Sequence, residues 1–202
     1  MLHTGERKKH IPTGFGATPS REIIKNAIFL DRDGVIVEDT GYVSSPEELI
    51  LFPDVIPVLK KLQPSFRLIV VTNQSGVARG YFTEDDLFAI HERLIHMLAD
   101  HGVRLDAIYY CPHHPKVGKN EYRIECECRK PKPGLLRLAA EEFGIELDKS
   151  FLIGDKDIDI QAGRAIGIKT IKINRNDREP LEESGADYII NTFSEVSSII
   201  KI

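Results

Sequence analysis

Short apolar runs alternate along the chain with longer stretches in which apolar residues recur at helical spacing. The short runs lie at 27–30, 68–71, 107–110, 151–153, 169–173 and 188–190. Runs this apolar are typical of strands that are buried on both faces. The pattern therefore predicts a set of buried strands.

The longer stretches predict helices between these strands. They lie at 55–62, 84–100, 134–143, 158–166 and 194–201. In the second stretch, Leu87, Ile90 and Leu94 repeat at helical spacing, and Thr83 is placed to cap the first turn. Alternating strands and helices predict an α/β fold: a three-layer, Rossmann-like parallel sheet with helices on both faces.

The 202-residue length is that of a single domain. Residues 1–21 are rich in Lys, Gly, Thr, His and Pro and lack apolar periodicity, which predicts a flexible extension. The folded domain is expected over residues 22–202. No large insertion follows Gly34 or Ser75, so we expect no large cap domain.

The bulk charge gives no indication of a charged macromolecular partner. The formal net charge is −4, which does not call for a nucleic acid or a membrane surface. No stretch approaches the roughly 20 apolar residues of a membrane span, and the start of the chain lacks a secretory pattern. We expect a cytoplasmic monomer that acts on a small soluble substrate.

Two carboxylates, Asp31 and Asp33, lie two residues apart where the first predicted strand ends. In extended backbone both would point to the same side. Like charges this close require a cation or a shared proton, which indicates a divalent metal or acid–base chemistry. An ordinary Asp-Gly turn is the alternative for this motif taken alone.

Three further motifs follow later strands or precede a helix. Residues 72–76 offer a hydroxyl, side-chain amides and loop N–H groups that suit phosphate oxygens. Residues 129–134 supply fixed cations, and residues 153–159 add carboxylates behind the fourth predicted strand. Ligands bind at the carboxyl ends of strands in such sheets, so the four motifs are expected to meet there.

From about residue 26 to about residue 174, this order resembles the haloacid dehalogenase superfamily. The matching elements are Asp31–Gly34, the strand-ending Thr72, Lys130–Pro133 and Gly154–Asp159. The resemblance implies a phosphatase in which Asp31 is the nucleophile and Asp33 the general acid and base. Superfamily dehalogenases lack the second aspartate, so Asp33 favours phosphate chemistry.

The same resemblance implies a catalytic Mg²⁺ ion. Its ligands would be the Asp31 side chain, the Asp33 backbone carbonyl and the Asp155 side chain, with Asp159 in the inner shell or just outside it. Lys130 would add a second cation at the phosphate, and Thr72 would orient a phosphate oxygen.

All three cysteines of the chain fall in one short segment, 111–128, together with His113. Cys111, His113, Cys126 and Cys128 could close a tetrahedral structural zinc site. His114 is an alternative to His113, and unliganded structural cysteines are the alternative to zinc. The other histidines, including His91, His96 and His101, are expected to face solvent.

This zinc loop is similar to that of the D-glycero-D-manno-heptose 1,7-bisphosphate phosphatases and of their relatives, the histidinol-phosphate phosphatases. Residues 39–43 and 72–80 and the long span between the zinc half-sites favour the heptose family, which implies cleavage of the 7-phosphate. That resemblance places nine residues at the substrate: Asp39, Gly41, Tyr42, Asn73, Gln74, Ser75, Arg79, Arg129 and Lys156. Histidinol phosphatase, DNA 3′-phosphatase and a non-catalytic phosphosugar-binding protein are the alternatives.

Overall fold

Seven strands form a single sheet in the computed structural model, which describes residues 10–12, 23–175 and 185–201. The strands are β1 (His10–Pro12), β2 (Ala27–Leu30), β3 (Arg67–Asn73), β4 (Ala107–Cys111), β5 (Phe151–Gly154), β6 (Lys169–Ile173) and β7 (Tyr188–Ile190). Their order across the sheet is β1-β4-β3-β2-β5-β6-β7. Strands β2 to β7 are parallel, and β1 lies antiparallel beside β4 at the edge. The predicted parallel sheet is confirmed.

Helices cover both faces of the sheet. They are α1 (Val55–Leu62), α2 (Gly76–Arg79), α3 (Glu84–Asp100), α4 (Gly134–Phe143), α5 (Asp157–Arg164) and α6 (Val196–Ile199). Buried side chains of α1, α3 and α6 share one hydrophobic core, and those of α4 and α5 share the core on the opposite face. The three-layer architecture predicted from the sequence is confirmed.

Strand β2 shows why the strands are apolar at successive positions. Ile28 and Leu30 belong to one core, whereas Ala27 and Phe29 belong to the other. All four side chains are fully buried. Because successive side chains of a strand point to opposite faces, a strand between two helical layers must be apolar throughout.

Helix α3 begins as predicted. The Thr83 hydroxyl accepts a hydrogen bond from the Asp86 N–H at 3.1 Å, and the Asp86 carboxylate accepts one from the Thr83 N–H at 2.8 Å. This reciprocal pair satisfies two N–H groups that the first turn leaves without helical partners.

Two other helices differ in extent from the prediction. Helix α5 ends at Arg164 instead of residue 166, and the chain then turns through Gly167, whose φ is +75°. The last predicted helix is a 3-10 turn at Phe193–Glu195 followed by the short α6. Ile200 takes an extended conformation there and is buried.

The sequence pattern does not predict β1. It lies within the extension expected over residues 1–21, most of which falls outside the described residues. The boundary at residue 22 stays a prediction.

After β2, residues 31–54 contain one 3-10 turn, Pro46–Glu48, and after β3, residues 74–83 contain only α2, so neither segment carries a cap domain. Among the described residues, no helix is both long and apolar enough to cross a membrane.

Candidate active site

Three of the predicted strand-end motifs meet at one edge of the sheet. Asp31 follows β2, Thr72 lies near the end of β3, and Asp155 follows β5. Strand β2 pairs with β3 on one side and with β5 on the other, so the three strand ends are neighbours. The Asp31 N–H extends this ladder by donating to Ile153 O at 3.0 Å. The chain changes direction across the sheet at β2, which is where open α/β sheets bind ligands.

Three carboxylates form an acidic cluster at this edge. Asp31, Asp155 and Asp159 each offer an oxygen atom, and these oxygens lie within 4.8 Å of one another. Burial raises the pKa of Asp155 to about 7, and the nearby Asp31 adds to that shift. Burial also raises the pKa of Asp159 to about 6. Asp155 Oδ1 is buried without a hydrogen-bond partner among the described atoms, so the cluster fits a hard divalent cation such as Mg²⁺.

Two glycines leave room for these carboxylates. A Cβ atom at Gly34 would lie 2.5 Å from Asp155 Oδ2, and the φ of Gly34 is +79°, which disfavours any other residue. A Cβ atom at Gly154 would overlap the Asp159 side chain. The glycines of both acidic motifs therefore have a steric function.

Lys130 neutralises part of the negative charge of this cluster. Its buried ammonium lies 3.1 Å from Asp31 Oδ1, contacts Asp159 Oδ1 and donates to Val71 O at 2.7 Å. Burial alone would lower the pKa of Lys130, but Asp159 and Asp31 raise it overall. The Asn73 side chain holds the Lys130 backbone, since its Nδ2 donates to Lys130 O and its Oδ1 accepts from Lys130 N, both at 3.1 Å.

The carboxylate of Asp33 has partners different from those of Asp31. Arg32 contacts both of its oxygens, with Nε and Nη2 each at 3.0 Å. Gln74 Nε2 donates to Asp33 Oδ2 at 2.8 Å and to Thr72 Oγ1 at 2.9 Å, and Gln74 Oε1 accepts from Arg32 Nη2 at 3.0 Å. Asp33 thus belongs to a hydrogen-bonded network apart from the acidic cluster.

The expectation that His91 faces solvent is wrong. His91 is fully buried on α3, and its Nε2 lies 3.3 Å from Arg32 Nη1. Burial, followed by the charge of Arg32, lowers the pKa of His91 well below its usual value. His96 and His101 are exposed, as expected.

A cavity of about 350 Å³ opens beside Asp31 and Asp33. Eight of the nine predicted substrate residues line it: Asp39, Gly41, Tyr42, Asn73, Gln74, Ser75, Arg129 and Lys156. Lys156 Nζ contacts Asp39 Oδ2 at 3.0 Å, which joins two parts of the wall. Burial alone would lower the pKa of Lys156, but Asp155 and Asp39 raise it overall.

Arg79 is the predicted substrate residue that does not line this cavity. It lies behind Tyr42, with its guanidinium carbon 5.6 Å from the centre of the Tyr42 ring. Tyr81 packs edge-on against the same ring at a centroid distance of 4.8 Å. Arg79 therefore contacts Tyr42, which lines the cavity, but does not line the cavity itself.

The predicted zinc ligands converge into a second cluster. The sulfur atoms of Cys111, Cys126 and Cys128 lie 3.0 to 3.6 Å apart, and His113 Nδ1 lies 3.3 Å from Cys128 Sγ. Sulfur ligands about 2.3 Å from a tetrahedral zinc ion lie about 3.8 Å apart, so these four groups are close enough together to share one ion after a small outward shift. Contacts with the other two thiols raise the pKa of Cys111, whereas contacts with Cys111 and Cys128 lower the pKa of Cys126. His114 accepts instead from the N–H groups of residues 116 and 117, each at 3.1 Å.

The loop that carries the candidate zinc ligands, residues 111–128 (the zinc loop), is held by side-chain contacts near both of its ends. Arg129 Nη1 donates to His113 O at 3.0 Å. Glu84, in the first turn of α3, accepts from the Tyr110 hydroxyl at 2.6 Å and from the Tyr122 hydroxyl at 2.8 Å. The loop therefore spans from β4 to the segment that carries Arg129 and Lys130.

Four contributors to the site were not identified in the sequence: Arg32, Glu84, His91 and Ile158. A signal was available for His91, since it follows Leu87 by four residues and precedes Leu94 by three, on the apolar face of α3. Arg32 and Glu84 carry no comparable signal, because their partners are remote in the chain.

A family model described as HAD-like hydrolase matches residues 127–196. A phosphatase of this superfamily from Thermococcus onnurineus shares the fold, with a TM-score of 0.60 at 18% identity over 86% of this chain and 97% of that one. The fold and the strand-end carboxylates thus define a HAD-like hydrolase.

Relatives that match most of the chain identify the family within this class. The D-glycero-beta-D-manno-heptose-1,7-bisphosphate 7-phosphatase of Pasteurella multocida is 43% identical over 182 residues, which covers 88% of this chain and 98% of that protein. The enzyme of the same name from Escherichia coli K12 is 42% identical, covering 87% and 93%. A solved D,D-heptose 1,7-bisphosphate phosphatase from B. bronchiseptica, complexed with magnesium and phosphate, has a TM-score of 0.75 at 34% identity over 86% and 97%. The chain belongs to this family of heptose bisphosphate phosphatases and is a phosphatase.

Proposed function

We propose that this phosphatase removes the 7-phosphate of D-glycero-D-manno-heptose 1,7-bisphosphate through an aspartyl-phosphate intermediate on Asp31. The main support is the position of Asp31, beside both the acidic cluster and a polar cavity lined by Tyr42, Arg129 and Lys156. The relatives named above match nearly the whole chain, and their names state this activity.

The two aspartates of the first motif have different roles in this proposal. An Asp31 oxygen attacks phosphorus, and the bond from phosphorus to the sugar oxygen breaks. The Asp33 carboxyl gives its proton to the departing oxygen and becomes a carboxylate. That carboxylate then takes a proton from the water that attacks the aspartyl phosphate, which releases inorganic phosphate and restores Asp31.

The residues that would hold Mg²⁺ are Asp31 and Asp155 through their side chains and Asp33 through its backbone carbonyl. Asp159 would lie in the inner shell or just outside it, and its contact with Lys130 favours the outer position. When bound, Mg²⁺ would offset the repulsion between the anionic nucleophile and the phosphate. Lys130 supplies a second fixed cation, and Thr72 orients a phosphate oxygen.

The cavity wall supplies groups suited to a phosphorylated sugar. Asn73, Gln74 and Ser75 offer uncharged polar atoms near the reacting phosphate, and Tyr42 offers a ring face. Arg129 provides a guanidinium for the second phosphate, with Arg79 as a further cation behind Tyr42. Asp39, Gly41 and Lys156 complete the wall.

The four-residue Cys/His cluster would hold a structural Zn²⁺ ion. Four protein ligands leave zinc no open position for catalysis. Its effect would be to order the zinc loop and thereby to place Arg129, which binds the loop at His113 O.

The experiment that tests this function compares kcat/KM for three substrates: heptose 1,7-bisphosphate, histidinol phosphate and a 3′-phosphorylated oligonucleotide. We expect the heptose bisphosphate to have the highest value, with release of the 7-phosphate identified by NMR of the product. A higher value for histidinol phosphate would overturn the substrate assignment.

Asp31→Asn is the matched control for the mechanism in the same panel. It should lower kcat by at least about a thousandfold on every substrate, because the amide cannot form the phosphoenzyme. Circular dichroism should show that the fold is retained. Substantial turnover by this variant would exclude the covalent route.

A further inference from the structure

The hydrogen bonds of Asp33 distinguish its two oxygens. A carboxylate offers about four lone-pair positions, two on each oxygen. Oδ2 accepts from Arg32 Nη2 and from Gln74 Nε2, which fills both of its positions. Oδ1 accepts from Arg32 Nε alone among the described groups. One position on Oδ1 therefore remains for a transferred proton.

Arg32 determines this arrangement because it contacts both oxygens of Asp33 and also Gln74. Its side chain is about 1% exposed, so solvent does not compete for its donors. A planar guanidinium that binds both oxygens sets the plane of the carboxyl group as well as its position. The orientation of Asp33 therefore depends on what holds Arg32.

His91 contacts the part of the guanidinium that faces away from Asp33. A guanidinium has no acceptor atom, so Arg32 Nη1 donates to His91 Nε2, and the imidazole is neutral with its proton on Nδ1. His91 Nδ1 is buried without a partner among the described residues. An unsatisfied buried donor costs about 1–3 kcal/mol, so packing alone would favour an apolar residue at this position.

We propose that His91 is a positioning residue, which holds Arg32 so that Arg32 and Gln74 present Oδ1 of Asp33 as the oxygen that carries the proton. The inference rests on the proposed role of Asp33 as the general acid. In that step the proton on Oδ1 passes to the departing sugar oxygen as its bond to phosphorus breaks, and Arg32 keeps its contacts with the resulting carboxylate.

The test uses two leaving groups that differ in their need for a proton. A sugar alkoxide is a poor leaving group and must be protonated, whereas p-nitrophenolate leaves without a proton. First-turnover release of heptose 1-phosphate from the bisphosphate and of p-nitrophenol from p-nitrophenyl phosphate would be measured for wild type, His91→Leu and His91→Gln. Gln can place its side-chain oxygen near the position of Nε2 and so keep the acceptor for Arg32.

We expect His91→Leu to slow the release of heptose 1-phosphate about tenfold, within the range that a misaligned general acid can cost, and p-nitrophenol release less than about twofold. KM for the heptose bisphosphate should change less than about twofold, since His91 does not line the cavity. His91→Gln should recover most of the lost rate. Equal slowing of both leaving groups, or a Gln variant as slow as Leu, would overturn the proposal.

Two further variants separate the possible failures. Leu98→Ala removes a buried side chain from the same helix without touching Arg32, so it should lower stability and leave the ratio of the two release rates unchanged. Arg32→Lys removes the bidentate contact and should reproduce the leaving-group selectivity if His91→Leu does not fold.

Asp33→Asn tests the underlying role of Asp33 separately. If it slows both leaving groups equally, Asp33 is not the general acid and the proposed mechanism fails. If Asp33→Asn is selective for the heptose but His91→Leu is not, the mechanism stands and the positioning role of His91 is rejected.

Discussion

Two buried cations, Arg32 and Lys130, divide the carboxylates of the site between them. Lys130 contacts Asp31 and Asp159, whereas Arg32 contacts Asp33. A buried charge is costly unless its partners remain with it. The separate pairing therefore holds Asp31 and Asp33, the proposed nucleophile and the proposed general acid, in different ion pairs although they are two residues apart in the chain.

His91 leads to a prediction about stability and pH. The pKa of its imidazole is well below the usual value in the folded state, because of burial and the charge of Arg32, and is about 6.5 in the unfolded chain. The Tyr110 ring packs against the imidazole, with 5.7 Å between the ring centroids. As pH falls below about 6.5, the unfolded state binds a proton that the folded state does not. His91 therefore contributes a loss of stability that approaches about 1.4 kcal/mol per pH unit.

His91→Gln should remove this contribution. Urea unfolding between about pH 7.5 and about pH 5 should show a shallower loss of stability than in wild type, with little change in pH dependence above about pH 7. His96→Gln is the matched control, since His96 is exposed on the same helix, and its pH dependence should follow wild type. Parallel curves for His91→Gln and wild type would contradict the assignment of a neutral buried imidazole.

At the level of elements, helix α3 connects the zinc loop to the sheet. Its first turn supplies Glu84, whose two oxygens bind Tyr110 on β4 and Tyr122 in the loop. Hydrogen bonds to a charged group contribute about 1.5–3 kcal/mol each, which is more than most surface contacts contribute. The loop thus has a second attachment besides its cysteines.

Glu84→Ala should lower the free energy of unfolding by about 2–3 kcal/mol, because it leaves two half-buried hydroxyl groups without their acceptor. It should also speed the release of zinc to a chelator, followed with a metal-sensitive dye. Asp85→Ala is the matched control, since Asp85 is exposed in the same turn and should cost less than about 1 kcal/mol. A zinc-release rate equal to that of wild type would show that Glu84 does not hold the loop.

Across the whole molecule, the candidate catalytic groups of the described residues lie around the central strands of the sheet. The acidic cluster and the cavity follow β2, β3 and β5, whereas β1 pairs only with β4 at the sheet edge. The domain boundary predicted at residue 22 leaves β1 on one side and the acidic cluster and the cavity on the other. The edge strand is expected to affect stability and association more than chemistry.

Residues 22–202 produced alone should keep kcat/KM within about twofold of the full chain, which corresponds to a barrier change of about 0.4 kcal/mol. Removal of β1 leaves the β4 backbone groups that face β1 without their partners, although β4 stays paired with β3, so light scattering should detect more association at high concentration. A loss of activity greater than about tenfold would place part of the site in the first 21 residues.

Sequence patterns predicted the six parallel strands and the four candidate zinc ligands, whereas the individual magnesium ligands and eight of the cavity residues were predicted from the family resemblance. The strands, the acidic strand-end motifs and the Cys/His cluster depend on local patterns: apolar runs, Asp and Gly at strand ends, and the Cys/His spacing. Strand ends of a parallel sheet meet at one edge, so a local motif determines the position of its side chains once the fold class is known.

Only the tertiary structure revealed the contacts of Arg32 with Asp33 and His91, the contact of Glu84 with the zinc loop, and β1. Arg32 and His91 are 59 residues apart, and Glu84 and Tyr122 are 38 apart. Such contacts depend on how helix α3 packs against the sheet, and helical periodicity identifies a buried face but not the partners of its polar side chains. The sequence thus determined which candidate groups lie at the strand ends, because local patterns place them there, and the packing of the layers decided how those groups are held.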